Sequence, residues 1–270
     1  MIDPVVDLDW VQAHADRVVL ADVRWYLDGR SGRAAYDGGH LPGAVFVDLD
    51  RVLARPASPA DGRHPLPDPE TFAAGLSALG IADQDTVIAY DDAGGVIAAR
   101  LVWLLRITGH DAALLDGGLT AYAEELDRAV PHRAPAVFTP RPWPAERLAD
   151  IDEAASGSFV VLDARDRARF RGDFEPVDPR AGHIPGARSL PCRDNVDSSG
   201  RFLPVGELRE RFADLGVLGG ESVISYCGSG VTACHNLIAL EHAGFGVGRL
   251  YPGSWSQYSG DAGRPAAVGD

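Results

Sequence analysis

The stretch SVISYCGSGVTACHNLIALEHAG, residues 222–244, reads as a strand, a tight loop and a helix in direct succession. Ser222 to Tyr226 is an apolar run of buried-strand length, and apolar residues then recur at helical spacing from Val231 to Ala243 before Gly244 stops them. A second copy stands in the first half as TVIAYDDAGGV, from Thr86. Three more pairs recur in the same order: ADVRWYLDGR from Ala21 with LDARDRARF from Leu162, GHLPGA from Gly39 with GHIPGA from Gly182, and LLDGGLTAY from Leu114 with LYPGSWSQY from Leu250. Partners lie about 135 to 143 residues apart, too far for a solenoid unit and right for a duplicated domain.

Between the copies, AVPHRAPAVFTPRPWPAE (residues 129–146) carries prolines at 131, 135, 140, 142 and 144. Proline removes amide donors and keeps the preceding residue extended, so this stretch is expected to be a stiff connection. The expected division is a first domain over 1–130, a linker over 131–147 and a second domain over 148–270. In each half, short β-branched runs (Val18 to Val23, Thr86 to Tyr90, Phe159 to Asp163, Ser222 to Tyr226) alternate with helical patterns such as Phe72 to Leu79. That alternation predicts two α/β domains, each a parallel sheet flanked by helices.

The 270 residues carry a net charge of −14 and a sequence pI near 4.9, which opposes binding to nucleic acid or to an anionic membrane surface. No apolar stretch approaches membrane-span length. The start, MIDPVVDLDW, has no basic residue, unlike a secretory signal, so a cytoplasmic location is expected. All 25 basic residues are arginine, so any cation in a site is a planar fork suited to carboxylate or sulfonate oxygens. The three cysteines, Cys192, Cys227 and Cys234, form no C-x-x-C pair, so neither a disulfide framework nor a metal site is expected.

Cys227 sits at the turn from strand to helix. Gly228 and Gly230 allow the loop Gly228, Ser229, Gly230, Val231 and Thr232 to aim amides at one point, and the helix start adds about half a positive charge. Such a cradle favours the thiolate needed for nucleophilic attack. Cys234, in phase with apolar neighbours inside the helix, reads as a core residue. His40 and His183 occupy the same turn frame in both halves and read as structural. Arg165 and Asp163, echoed by Arg24 and Asp22, read as a structural ion pair.

CGSGVTACH, the two G-H-[LI]-P-G-A segments, DVRWYL, DARDRARFRG and LYPGSW together resemble the tandem-domain rhodaneses, the thiosulfate and 3-mercaptopyruvate sulfurtransferases. The resemblance covers nearly the whole chain. It implies a catalytically silent first domain, where Asp91 stands at the position of the cysteine, and a sulfur carried on Cys227 as a persulfide, with no metal or organic cofactor. It implies substrate contacts from Arg169 and, across a two-residue insertion, from Arg180. It also implies a relay of Ser229, His64 in GRHPLP and Asp50 in FVDLD. Thiosulfate-preferring members have two basic residues after the cysteine; Gly228 and Ser229 are similar instead to the mercaptopyruvate form, so that donor is expected over thiosulfate. The expected partners are a small anionic sulfur donor and a thiol, cyanide or thioredoxin-like acceptor. A phosphatase or arsenate reductase would need an arginine where the chain has Ala233, and a non-enzymatic sulfur carrier would turn over no small donor.

Overall fold

The computed structural model describes residues 1–270. Two compact units cluster separately. The first comprises Met1–Arg55, Leu66–Trp143 and Ser198–Phe202; the second comprises Pro56–Pro65, Pro144–Asp197 and Leu203–Asp270. Each unit therefore includes a short segment from the other half of the sequence.

The first unit holds β1 (Val5–Val6), β2 (Val18–Asp22), β3 (Val45–Phe46), β4 (Thr86–Tyr90) and β5 (Ala112–Leu115), all parallel, in the order β1-β5-β4-β2-β3. The second holds β6 (Val160–Asp163), β7 (Arg188–Ser189), β8 (Val223–Tyr226) and β9 (Arg249–Leu250), also parallel, in the order β7-β6-β8-β9. The two orders superimpose as β3-β2-β4-β5 on β7-β6-β8-β9. An isolated parallel bridge, Leu148 to Leu250, takes the place of the missing fifth strand. The central strands are mostly apolar because helices cover both faces of a parallel sheet, and β4, β5 and β8 are buried almost throughout, whereas β7 (Arg188–Ser189) at the sheet edge is polar and partly exposed.

The repeat extends to side chains. Arg24 and Arg165 each grip an aspartate two residues back, Asp22 and Asp163, with closest contacts of 2.7 and 2.6 Å, and each donates at 2.7 Å to the carbonyl of the glycine before the histidine turn, Gly39 and Gly182. His40 stacks on Tyr36 at 3.9 Å, and His183 on Phe170 at 3.7 Å. Each ring pairs through Nδ1 with the carbonyl of the residue it stacks on, which is a scaffold role. The amides after those histidines donate to the tyrosine hydroxyls that end β4 and β8, Tyr90 and Tyr226.

The proline-rich stretch lies along the first unit. Ala136 donates to the Ser77 carbonyl, Thr139 bonds Asp83, Trp143 Nε1 reaches the Pro67 carbonyl, and Phe138 packs edge-on against Phe72 of the helix Pro69–Ala78. No helix is long and apolar enough to cross a membrane.

Candidate active site

β8 ends at Tyr226 and the chain turns at Cys227, which is 2% exposed. The Cys227 amide donates to Ser254 Oγ at 3.2 Å, and the carbonyls of Cys227 and Gly228 accept from Trp255 and Ser256, each at 2.9 Å. These three bonds fix the backbone that carries the thiol. The Gly230 amide then donates to Cys227 Sγ at 3.1 Å. Gly230 has φ +79°, and a Cβ there would lie 2.6 Å from the Pro252 carbonyl oxygen, so only glycine closes the loop this way. The helix Ala233–His242 begins three residues later, its positive end towards the loop.

The first unit carries its own version of this loop. Asp91, fully buried at the matching strand end, accepts from Ala93 and Gly95 through Oδ1, both at 2.8 Å, and from Ile97 and Ala98 through Oδ2 at 2.7 and 2.9 Å. Gly95, Ile97 and Ala98 stand where Gly230, Thr232 and Ala233 stand in the second unit. The Asp91 carboxyl group thus fills its own cradle, both oxygens taken up by backbone amides. Burial pushes the Asp91 carboxyl up, opposed by the four amides.

Ser229 is 7% exposed, and its Oγ lies 2.7 Å from His64 Nδ1. His64 reaches it because Pro56–Pro65 clusters with the second unit; Gly62 has φ +86° and its α-carbon face abuts Gly253 and Ser256. Asp50 is exposed in the first unit, where it accepts from Trp25 Nε1 at 3.2 Å.

Arg169 follows from the helix Arg167–Arg171. Its Nε and Nη2 form a fork on Glu175, at 3.1 and 2.6 Å, and Nη2 also reaches Asp178 at 3.2 Å. Its Nη1 lies 3.6 Å from the point a Gly228 Cβ would occupy. Arg63, which sequence reading passed over although it adjoins His64 in GRHPLP, is hydrogen-bonded through Nη1 to Asp178, and its Nη2 lies 2.7 Å from that same point. Burial alone would raise both carboxyls. The Arg169 fork and the amides of Asp178 and Val177 overcome it at Glu175, which is lowered, whereas burial wins at Asp178, which is raised.

Arg180 departs from expectation. Its Nε donates to the Ser259 carbonyl, Nη1 to Arg264, and Nη2 to Tyr258 and Asp261, at 2.7 to 3.0 Å. Every guanidinium nitrogen is spent on main-chain carbonyls of the C-terminal turn, so Arg180 is a staple of the scaffold and offers no fork to a substrate. Thr232 places its hydroxyl on the Cys192 thiol, which burial and the neighbouring Cys227 push up to about 12. Val231 is buried and its carbonyl accepts from the Cys234 amide. Cys234 is fully buried with its thiol on the Gly230 carbonyl, in keeping with a core residue. Ser254 was also missed by sequence reading. Its only signal is that serine stands where the first half has Gly118.

Residues 7–125 and 145–261 each match the rhodanese-like domain. The chain belongs to the rhodanese-like family. This tandem rhodanese is 44% identical over 267 residues to a Pseudomonas aeruginosa protein named a probable 3-mercaptopyruvate sulfurtransferase, covering 94% of this chain and 93% of that one. It is 40% identical over 262 residues to a Mycobacterium tuberculosis protein provisionally named a thiosulfate sulfurtransferase, covering 94% and 92%. Among solved structures, the 3-mercaptopyruvate sulfurtransferase of Leishmania major superposes with a TM-score of 0.83 at 32% identity, covering 95% of this chain and 74% of that one. The two α/β domains read from the repeats, each a parallel sheet between helices, and the rhodanese fold that the resemblance implied are the fold observed.

Proposed function

We propose that this rhodanese is a sulfurtransferase that takes sulfur from 3-mercaptopyruvate onto Cys227 and passes it to a thiophilic acceptor. The observation that carries the reading is the pairing of two devices at one loop: Sγ receives the Gly230 amide, and Ser229 beside it meets His64 at 2.7 Å. The Gly230 amide donates to Sγ, and the positive end of the helix Ala233–His242 lies just beyond it, so the sulfur that attacks the donor is already held in place. Thiolate attack on the donor sulfur forms an S–S bond and breaks the donor C–S bond, whose electron pair leaves on carbon as the enolate of pyruvate. Ser229, backed by His64, delivers the proton that completes pyruvate; the family resemblance adds Asp50 as the carboxylate of this relay. An acceptor such as cyanide, a small thiol or a thioredoxin-like protein then attacks the outer sulfur and releases the Cys227 thiolate. No metal or organic cofactor enters these steps, and a cytoplasmic setting suits an enzyme that works through a reduced thiol. The first unit is silent in this scheme, because Asp91 is no nucleophile towards sulfur and occupies the cradle itself.

One observation favours thiosulfate as a second donor. The sequence argument against it was a loop lacking cations, yet the guanidinium groups of Arg63 and Arg169 both stand over Gly228. Comparing kcat/KM for the two donors ranks them. Mass spectrometry after donor treatment should show about 32 Da added to Cys227, and none on Cys227→Ser; sulfur retained on the serine variant would refute the assignment.

A further inference from the structure

Three guanidinium groups and three carboxylates interlock beside the cysteine loop: Arg63, Arg165 and Arg169 with Asp163, Glu175 and Asp178. Arg165 is wholly committed, to Asp163, Glu175 and the Gly182 carbonyl. The other two are not. Arg63 spends Nη1 on Asp178, and its Nε is buried without a partner. Arg169 spends Nε and Nη2 on Glu175 and Asp178. Two nitrogens that bond none of these carboxylates, Arg63 Nη2 and Arg169 Nη1, converge on Gly228, at 2.7 and 3.6 Å from the place of an absent Cβ, with Arg169 Nη2 at 3.7 Å beside them. Asp178, 3% exposed, bonds both arginines and so holds the pair in register before any ligand arrives.

We propose that Arg63 is a donor-binding residue: its Nη2 and Arg169 Nη1 form one two-armed fork over Gly228 that grips the carboxylate or sulfonate oxygens of the sulfur donor. Two donors from two different arginines match the two oxygens of either group, and preorganisation by a buried carboxylate spares the ordering cost of binding. Gly228 is part of the device, since any side chain there would occupy the space in which the fork closes. Arg63 thereby takes the part that the sequence assigned to Arg180. The identity of the ligand as a sulfur donor rests on the sulfurtransferase reading; the anion site itself rests on the geometry alone.

A test independent of turnover compares alkylation of Cys227 by anionic iodoacetate and neutral iodoacetamide. Both consume the same thiolate, so any change in thiolate population cancels in the ratio of their rates, which reports the local field and anion binding. Arg63→Gln should lower the iodoacetate-to-iodoacetamide ratio by about fivefold or more, an effect that shrinks with salt in the wild type. With either donor, the same variant should raise KM by about tenfold or more and move kcat by less than about threefold. Arg63→Lys keeps the charge, and with it much of the local field, but has a single nitrogen for Asp178 and cannot also reach Gly228, so it should lower the ratio by more than about twofold, less than the glutamine variant does, and raise KM as that variant does. It serves in place of the glutamine variant if that one fails to fold. A ratio within about twofold of wild type in the folded variant overturns the proposal and leaves Arg63 as an ion pair to Asp178. A lowered ratio in a protein that moves no sulfur from either donor would uphold the anion site and refute the sulfurtransferase reading.

Discussion

Ser254 holds the Cys227 amide at 3.2 Å while sitting at φ +52°, the sole non-glycine residue of the chain with positive φ. Its Oγ also donates to the Tyr251 carbonyl at 2.9 Å, so one strained serine ties the Cys227 backbone to the end of β9. Gly118 takes the matching place in the first unit at φ +54°, where strain is absent. Ser254→Gly should relieve the strain but lose the bond, and Ser254→Ala should lose the bond and keep the strain. The glycine variant is therefore expected to be more stable than the alanine variant by about 1 kcal/mol in urea denaturation, with sulfur transfer reduced in both. An alanine variant as stable as the glycine one would show that the backbone at 254 carries no strain.

The Ser229–His64 contact separates the two donors. Pyruvate leaves as an enolate that must be protonated at carbon, whereas thiosulfate releases sulfite, a stable anion. Ser229→Ala and His64→Ala should each lower kcat with mercaptopyruvate by about 10- to 100-fold and alter thiosulfate turnover by less than about threefold. The double variant should be no worse than the poorer single one, as for groups acting in one relay. Equal losses with both donors would assign the pair to loop structure.

Arg180 and Arg169 should fail differently. Arg180→Leu strips four main-chain carbonyls of their donor, so about 2 to 4 kcal/mol of stability should be lost while the donor KM stays within about twofold. Arg169→Leu should raise KM by about tenfold or more if its Nη1, 3.6 Å from the place of a Gly228 Cβ, is one arm of the proposed fork. A thermal melt and a steady-state series on each variant read this contrast, and a KM effect at Arg180 would restore it to the binding site.

Burial pushes the Cys192 thiol from its ordinary 9.0 up to about 12. Between those values the unfolded chain sheds the Cys192 proton and the folded chain keeps it, so the unfolded state binds fewer protons and stability falls as pH rises. The slope from this one group reaches about 1.4 kcal/mol per pH unit. Cys192→Val should therefore lose less stability than wild type between pH 8.5 and 10.5 in denaturant titrations, by roughly 2 kcal/mol. Parallel curves for the two proteins would mean that the thiol ionises freely in the fold.

The sequence by itself determined the architecture and the strand–loop–helix setting of Cys227. Strand and helix periodicities are local, and the internal duplication supplied a second copy of each element, so two parallel sheets and the strand–loop–helix around Cys227 were legible without coordinates. So were the Asp163–Arg165 and Asp22–Arg24 pairs, two residues apart on one strand end. The tertiary structure decided which arginines face the loop. Arg180 and Arg63 look alike in a string; one is consumed by carbonyls 78 to 84 residues away and the other is clamped by Asp178, 115 residues away. Side-chain forks are satisfied by whatever acceptors folding brings near, and no local pattern encodes that. The strain at Ser254 was equally hidden, because φ there is imposed by the long-range bonds of residues 254–256 to the cysteine loop rather than by serine's own preference.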